Sequence, residues 1–368
     1  MLFSEVIGQK EIKKKLIKQV LSSKIPHALL FNGMSGYGSL PLALAYTQYV
    51  FCENKSQTDS CGECKSCKRV NELQHPDLHF SYPCVSTISK LSDYYLSDWR
   101  EIVKQKKYFD LYDWIKKIDP KERKPFIYVE ESQSIIKKLA LKSFEGGYKI
   151  MLIWSIEEMN LHCSNKLLKI LEEPQEKTIF ILVSKSIETI LPTIISRVQV
   201  VNVPRVEQEP FVRYLIKHQN MGEAPANSKY GYTQGDFLQL RDNELDANQF
   251  EQFVKLMRFC YKKDVIEMLK WAEEMSEYSK EQQKIFLQYS LHLFRQSILN
   301  NYQVEMDLQV SEKEKAFLSN FSIYITGKNI ELYMNKFDKA YRDIDRNANT
   351  KILFSQLSFW VMRGIHKA

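Results

Sequence analysis

Four cysteines in the order Cys52-x8-Cys61-x2-Cys64-x2-Cys67 form the sharpest chemical signal in the chain. Four thiolates at this spacing can close a tetrahedral site around a soft divalent ion. With four sulfur ligands no coordination position stays open, so the site is structural rather than catalytic. Zinc is the expected ion. An iron–sulfur cluster also uses CxxCxxC spacing, but its usual trailing Cys-Pro is missing. Cys84, Cys163 and Cys260 are isolated and read as core or surface residues, not nucleophiles.

A second constellation is the loop Gly33-Met-Ser-Gly36-Tyr-Gly38-Ser39-Leu40, between an apolar run and a helical pattern. That is where a phosphate-cradling loop belongs, with backbone N–H groups and a helix N-terminus facing the anion. A working loop needs Lys and then Ser or Thr after its last glycine, to meet the phosphates and to bind Mg²⁺. Ser39 and Leu40 stand there instead. The strand that should end in an acidic metal anchor ends in Trp154-Ser155. Glu157 and Glu158 lie past its end and read as surface acids. Two losses in one site predict a nucleotide scaffold that no longer hydrolyses, with no cofactor expected in the degenerate loop; nucleotide held without hydrolysis is the alternative, because the glycines survive. A third candidate is Ser196-Arg197, before another strand. An arginine at a domain edge can stabilise charge on a phosphoryl group held by a neighbouring subunit; taken alone, such an arginine is more often a surface ion-pair partner.

These residues need positioning elements. Ile12, Leu16, Ile17, Val20 and Leu21 share one helical face over 10–24. Residues His27–Phe31 read as a buried strand, and Leu78–Tyr82, Lys149–Trp154, Thr178–Ser184 and Val198–Val203 as further strands. Helices are expected over Ser39–Phe51, with Ser39 as N-cap, and near 131–142 and 164–173, the last stopped by Pro174. Strands alternating with helices predict a parallel sheet covered on both faces. The segment 85–124 interrupts that rhythm and reads as an insertion, with one or two amphipathic helices around Trp99 and Trp114. After Pro204 strand signals stop. Residues 205–245 read as a small helical unit, and nearly everything from 246 onward has helical period, as in Phe253, Leu256, Met257 and Tyr261.

The 368 residues are 44% apolar and 26% charged, which excludes disordered and fibrous classes. No apolar run approaches a membrane span. The first 15 residues place lysines after the apolar residues, the reverse of a secretory signal, so a cytoplasmic protein is expected. The formal charge of +7 is uneven: residues 1–70 carry 10 basic and 5 acidic side chains, and residues 71–245 carry 24 of each. No broad basic face is expected beyond the first helix and the cysteine module.

Several stretches together resemble the AAA+ clamp-loader family of bacterial DNA polymerase III, on the side of its delta-prime branch. They are Val6-Ile7-Gly8-Gln9, His27-Ala-Leu-Leu-Phe31, the glycine loop, the cysteine module followed by His75-Pro76-Asp77, and Asn165-Lys-Leu-Leu-Lys-Ile-Leu-Glu-Glu-Pro174. Ser196-Arg197 matches a Ser-Arg-Cys motif with Val198 in place of Cys, and Asp345–Asn349 resembles the family's last collar helix. The resemblance is specific over 2–204 and thin over 205–340. The sensor arginine of the family's lid is missing: Asp236, Phe237 and Leu238 follow Gly235, and Arg241 lies too far along.

The resemblance implies an AAA+ P-loop NTPase-like sheet domain over 1–204, a helical lid over 205–245 and a helical collar over 246–368. It implies a structural Zn²⁺ on Cys52, Cys61, Cys64 and Cys67, and no ATP hydrolysis by the chain itself. Arg197, with Ser196, would act in trans on a neighbour's ATP. The implied partners are gamma or tau and delta subunits, a sliding clamp, and primed DNA through the complex. The alternatives are a stand-alone zinc-containing nucleic-acid-binding protein and an active P-loop NTPase with an unusual site.

Overall fold

The computed structural model describes residues 1–121, 123–233, 235–240, 243–302, 310 and 312–366. Arg241, and Glu122 within the 85–124 segment, lie outside them. The chain divides into two compact units, one of residues 1–210 with 235–238, the other of 211–234 with 239–368.

The first unit is built on five parallel strands: β1 (Ala28–Asn32), β2 (Leu78–Ser81), β3 (Lys149–Trp154), β4 (Thr178–Ser184) and β5 (Gln199–Asn202). Their order is β2-β3-β4-β1-β5. β3 and β4 are buried along their whole length. A strand covered on both faces needs no polar alternation, so its sequence is a continuous apolar run.

On one face pack α1 (Lys10–Leu21), α2 (Ser39–Phe51), α4 (Leu96–Gln105) and α5 (Leu111–Ile118), around a core that includes Leu29, Phe31, Trp99, Trp114 and Trp154. The short α3 (Lys65–Asn71) carries the last cysteine of the module. On the other face pack α6 (Val129–Ala140), α7 (Leu161–Glu172) and α8 (Pro192–Ile195), around Leu30, Met151, Ile153, Phe180 and Leu182. α2 is buried almost all round, as expected of a helix apolar on every side.

Leu16, Ile17 and Val20 bury the face expected of α1, while Leu21 at its end is half exposed. Ser39 is not the N-cap of α2. Gly38, in left-handed conformation at φ 96°, takes that place, and the Ser39 hydroxyl donates to the Gly33 carbonyl at 3.0 Å.

The second unit is helical: α9 (Gln208–Gln219) leads into it, followed by α10 (Glu223–Thr233), α11 (Asn243–Lys262), α12 (Val265–Glu277), α13 (Lys280–Asn301), α14 (Glu312–Phe321), α15 (Ile330–Asp345) and α16 (Thr350–His366). Its core joins Phe253, Leu256, Met257, Trp271, Phe294, Tyr333, Phe337 and Phe354. Tyr261 turns outward at 52% exposure, and Cys260 occupies the core beside it. No helix among the described residues is long and apolar enough to cross a membrane.

Candidate functional site: a glycine loop, a cysteine cluster and a rim arginine

Strand register brings the glycine loop and the end of β3 to one edge. Asn32 of β1 sits opposite Ser184 of β4, and Trp154 of β3 opposite Val183. Ligands of open α/β sheets bind at such carboxyl edges, where strand order reverses. The Gly33 N–H is already spent on the Ser184 carbonyl at 3.0 Å. Gln9 ties the loop down: its side-chain amide donates to the carbonyls of Tyr37 (3.2 Å) and Pro204 (2.6 Å).

A small cavity remains at this edge, lined among others by Gly33, Ser39, Leu40, Lys107, Phe109, Trp154, Ser155, Glu157 and Lys185. Its interior is about 10 Å³, room for about one water molecule. Leu40 and Trp154 are both buried. Trp154 sits in an aromatic cluster, 5.3 Å from Trp99 and 5.1 Å from Phe109 between ring centres, and Trp99 continues to Tyr82 and Trp114.

Sequence reasoning missed two features of this edge. Glu157 is not a surface acid: Oε1 accepts the Lys185 N–H at 3.3 Å, and burial raises its carboxyl above the usual range. Lys107, Tyr108 and Phe109, from the 85–124 segment, lie against the loop; only the aromatic richness of that segment could have hinted at this.

The four predicted cysteines converge. Their sulfurs all lie within 4.8 Å of one another, with Cys52–Cys61 at 3.6 Å and Cys61–Cys67 at 3.9 Å. Four sulfurs on a tetrahedron with bonds of about 2.3 Å stand roughly 3.8 Å apart, so the set can hold a metal ion. Backbone N–H groups of Cys61, Cys64 and Cys67 donate to the sulfurs of Cys52, Cys61 and Cys64 at 3.3, 3.3 and 3.4 Å. The amides of Cys64 and Glu63 hold the Cys61 thiol down, to about 6. Burial pushes those of Cys52 and Cys67 up. Cys84, Cys163 and Cys260 are buried free thiols, each pushed up by burial, as suits core residues.

His75-Pro76-Asp77 explains how the cysteine module is anchored. Asp77 accepts from Ser143 Oγ (3.1 Å) and from the backbone N–H groups of Phe144 (2.7 Å) and Glu145 (3.0 Å). Glu145, so placed, meets His75 Nε2 at 3.1 Å, Ser66 Oγ at 3.4 Å and Arg69 of α3. His75 stacks on Phe51 at 4.0 Å.

Arg197 stands at the end of α8, one third exposed, beside an open groove that also holds His27, Glu172, Ser196 and Gln199. Its Nη1 donates to the Thr193 carbonyl (2.8 Å) and to Ser196 Oγ (3.1 Å), and Nη2 pairs with Glu172. Arg197 is thus held in place at the opposite end of the strands from the chain's own glycine loop: it precedes β5, which pairs in parallel with β1, and the loop follows β1.

A parallel sheet in this order, with a glycine loop after β1 and a helical unit following it in the chain, defines an AAA+-type fold. The chain belongs to the family described as DNA polymerase III, delta subunit, whose model matches residues 8–207. It is 26% identical over 191 residues to the delta-prime subunit of DNA polymerase III from Bacillus subtilis, covering 52% of this chain and 46% of that protein. It is 25% identical over 393 aligned positions to the tau subunit of the same organism, covering 100% of this chain and 62% of that protein. The chain thus spans about half the length of the curated relatives it matches. A solved gamma-subunit-related protein of DNA polymerase III from Thermotoga maritima shares 15% identity at a TM-score of 0.41, covering 96% of this chain and 99% of that one.

Proposed function

We propose that this chain is the delta-prime-type subunit of a bacterial DNA polymerase III clamp loader, one that does not hydrolyse ATP itself. The observation that carries the reading is the pairing of opposites on one sheet. Where a working site needs Lys, Ser or Thr and an acidic pair, the chain has Ser39, Leu40, Trp154 and Ser155, while Arg197 stays fixed on an open rim. An arginine so held, at the opposite strand end from the chain's own loop, supports a role toward a phosphate that another chain brings to it; such a contact is worth about 10³–10⁵ in rate where it acts.

In this reading the helical second unit contains the lid and collar, with divisions near 204 and 245. The collar joins gamma or tau and delta subunits, and the assembled ring places a sliding clamp on primed DNA. Cys52, Cys61, Cys64 and Cys67 hold a structural Zn²⁺, which cross-links the module when bound. Glu145, Ser66 and Arg69 then fix the module to the sheet. The uneven charge supports a subunit working through protein neighbours rather than a free DNA binder.

The experiment is reconstitution. The purified chain should show no ATPase. With gamma or tau and delta it should assemble into a complex that loads clamp onto primed DNA in an ATP-dependent way. Turnover that follows the isolated chain through purification, or failure to assemble with those subunits, would overturn the proposal.

A further inference from the structure

The 85–124 segment has a role that the family comparison leaves open. It leaves β2 at the sheet, forms α4 and α5, and between them crosses the glycine loop at Lys107-Tyr108-Phe109. Phe109 is buried and packs on Trp154 and Trp99 at ring-centre distances of 5.1 and 5.8 Å. Tyr108 accepts the Ile7 N–H through its hydroxyl at 3.3 Å and stacks on Phe237 at 4.4 Å.

In a phosphate loop, glycines let backbone approach phosphate; here each approaches protein. A Cβ on Gly33 would overlap the Val203 carbonyl oxygen. A Cβ on Gly36 would overlap the Asp236 carboxylate and come to 2.9 Å from the Leu238 nitrogen. Gly38, at φ 96°, lies 3.2 Å under the Tyr108 ring by the same measure. Side chains rarely tolerate such approaches or that φ, so packing alone accounts for all three glycines. The Asp236 carboxylate itself takes up the approach to Gly36 that a phosphate would need. Lys107 and Lys185 border the cavity and would favour one, but Lys107 is paired with Glu5 at 3.2 Å and the space holds about one water.

We propose that the 85–124 segment is a built-in occupant of the former nucleotide site: Tyr108 and Phe109 fill the space between the glycine loop and β3, Asp236 closes it over Gly36, and nucleotide is excluded rather than held unhydrolysed. This deepens the non-hydrolysing reading and is independent of what Arg197 does in a complex. The glycines survive because the plug needs them.

Two measurements on the full-length chain test it. In equilibrium binding with a fluorescent ATP analogue and Mg²⁺, no saturable binding is expected up to 1 mM. Stoichiometric binding below that concentration would overturn the proposal while leaving the Arg197 role testable. In hydrogen exchange, amides of 36–42 and 106–112 should be protected without nucleotide and unchanged by 1 mM MgATP. Tyr108→Ala, which removes a half-buried ring and leaves Phe109 in the core, should speed exchange over 36–42 by about tenfold or more. Exchange there that is fast in the native chain and slowed by ATP, or unchanged by Tyr108→Ala, would refute the plug.

Discussion

Replacing Trp154 is the sharpest test of the view that the acid anchor has become core. Its side chain is 3% exposed and packs against Trp99 and Phe109. Truncating a buried Trp to Ala costs about 3–5 kcal/mol, of which the two ring pairs supply roughly 1–3 kcal/mol. Trp154→Asp restores the acid of a working site but places a carboxylate among these rings. It should cost about 2 kcal/mol more, or the acid should stay protonated. Against a typical stability of about 5–15 kcal/mol, the Asp variant should bring the first unit near unfolding at 37 °C. The assay is hydrogen exchange of β3 and β4 peptides across a urea series. It reads the first unit alone, where total fluorescence would mix in Trp271 and Trp360 of the second. A Trp154→Ala cost below about 1 kcal/mol would refute the reasoning. So would a stable Trp154→Asp chain that binds Mg²⁺ and ATP.

Asp77→Ala removes the acceptor of three hydrogen bonds and should cost about 3 kcal/mol in urea unfolding, with fast exchange over 143–147. A change under about 0.5 kcal/mol would contradict that anchor. Cys64→Ser should lower bound zinc from about one equivalent to none, by elemental analysis, and loosen residues 52–71. A native chain that is folded and metal-free would contradict the zinc assignment. Burial, aided by Lys138, holds the His79 imidazole below its usual range. The unfolded chain therefore binds more protons below about pH 6.5, so stability is present above that pH and falls as pH drops through the folded-state value. His79→Phe should flatten that slope, and an NMR titration placing His79 above 6.5 would contradict it.

β3 and β4, two of the three inner strands, were legible to the residue, because both are apolar on both faces, β3 ending before Ser155 and β4 lying between Lys177 and Lys185. α2 was legible for the same reason, except at its start, where the backbone of Gly38 and not the side chain of Ser39 makes the cap. The cysteine cluster was legible because ligand spacing is local. What the sequence hid is long-range. Tyr108 meets Gly38 and Phe237 across the fold, and nothing local marks that encounter. Glu157 looked like a solvated acid until the turn after β3 folded it inward. The Arg197–Glu172 pair links α8 to the end of α7 across 25 positions of chain. Tyr261 kept the helical period but sits at the edge of its apolar face, where Cys260 fills the core instead.

On the proposed function, this chain serves ATP chemistry only through a neighbour. The direct measurement is the DNA-stimulated ATPase of a complex reconstituted with gamma or tau, delta and this chain, comparing native protein with Arg197→Ala at equal assembly. Normal assembly and a reduced rate are expected, with turnover at the one site that Arg197 serves lowered by about 10³-fold or more. An unchanged rate in a fully assembled Arg197→Ala complex would contradict it.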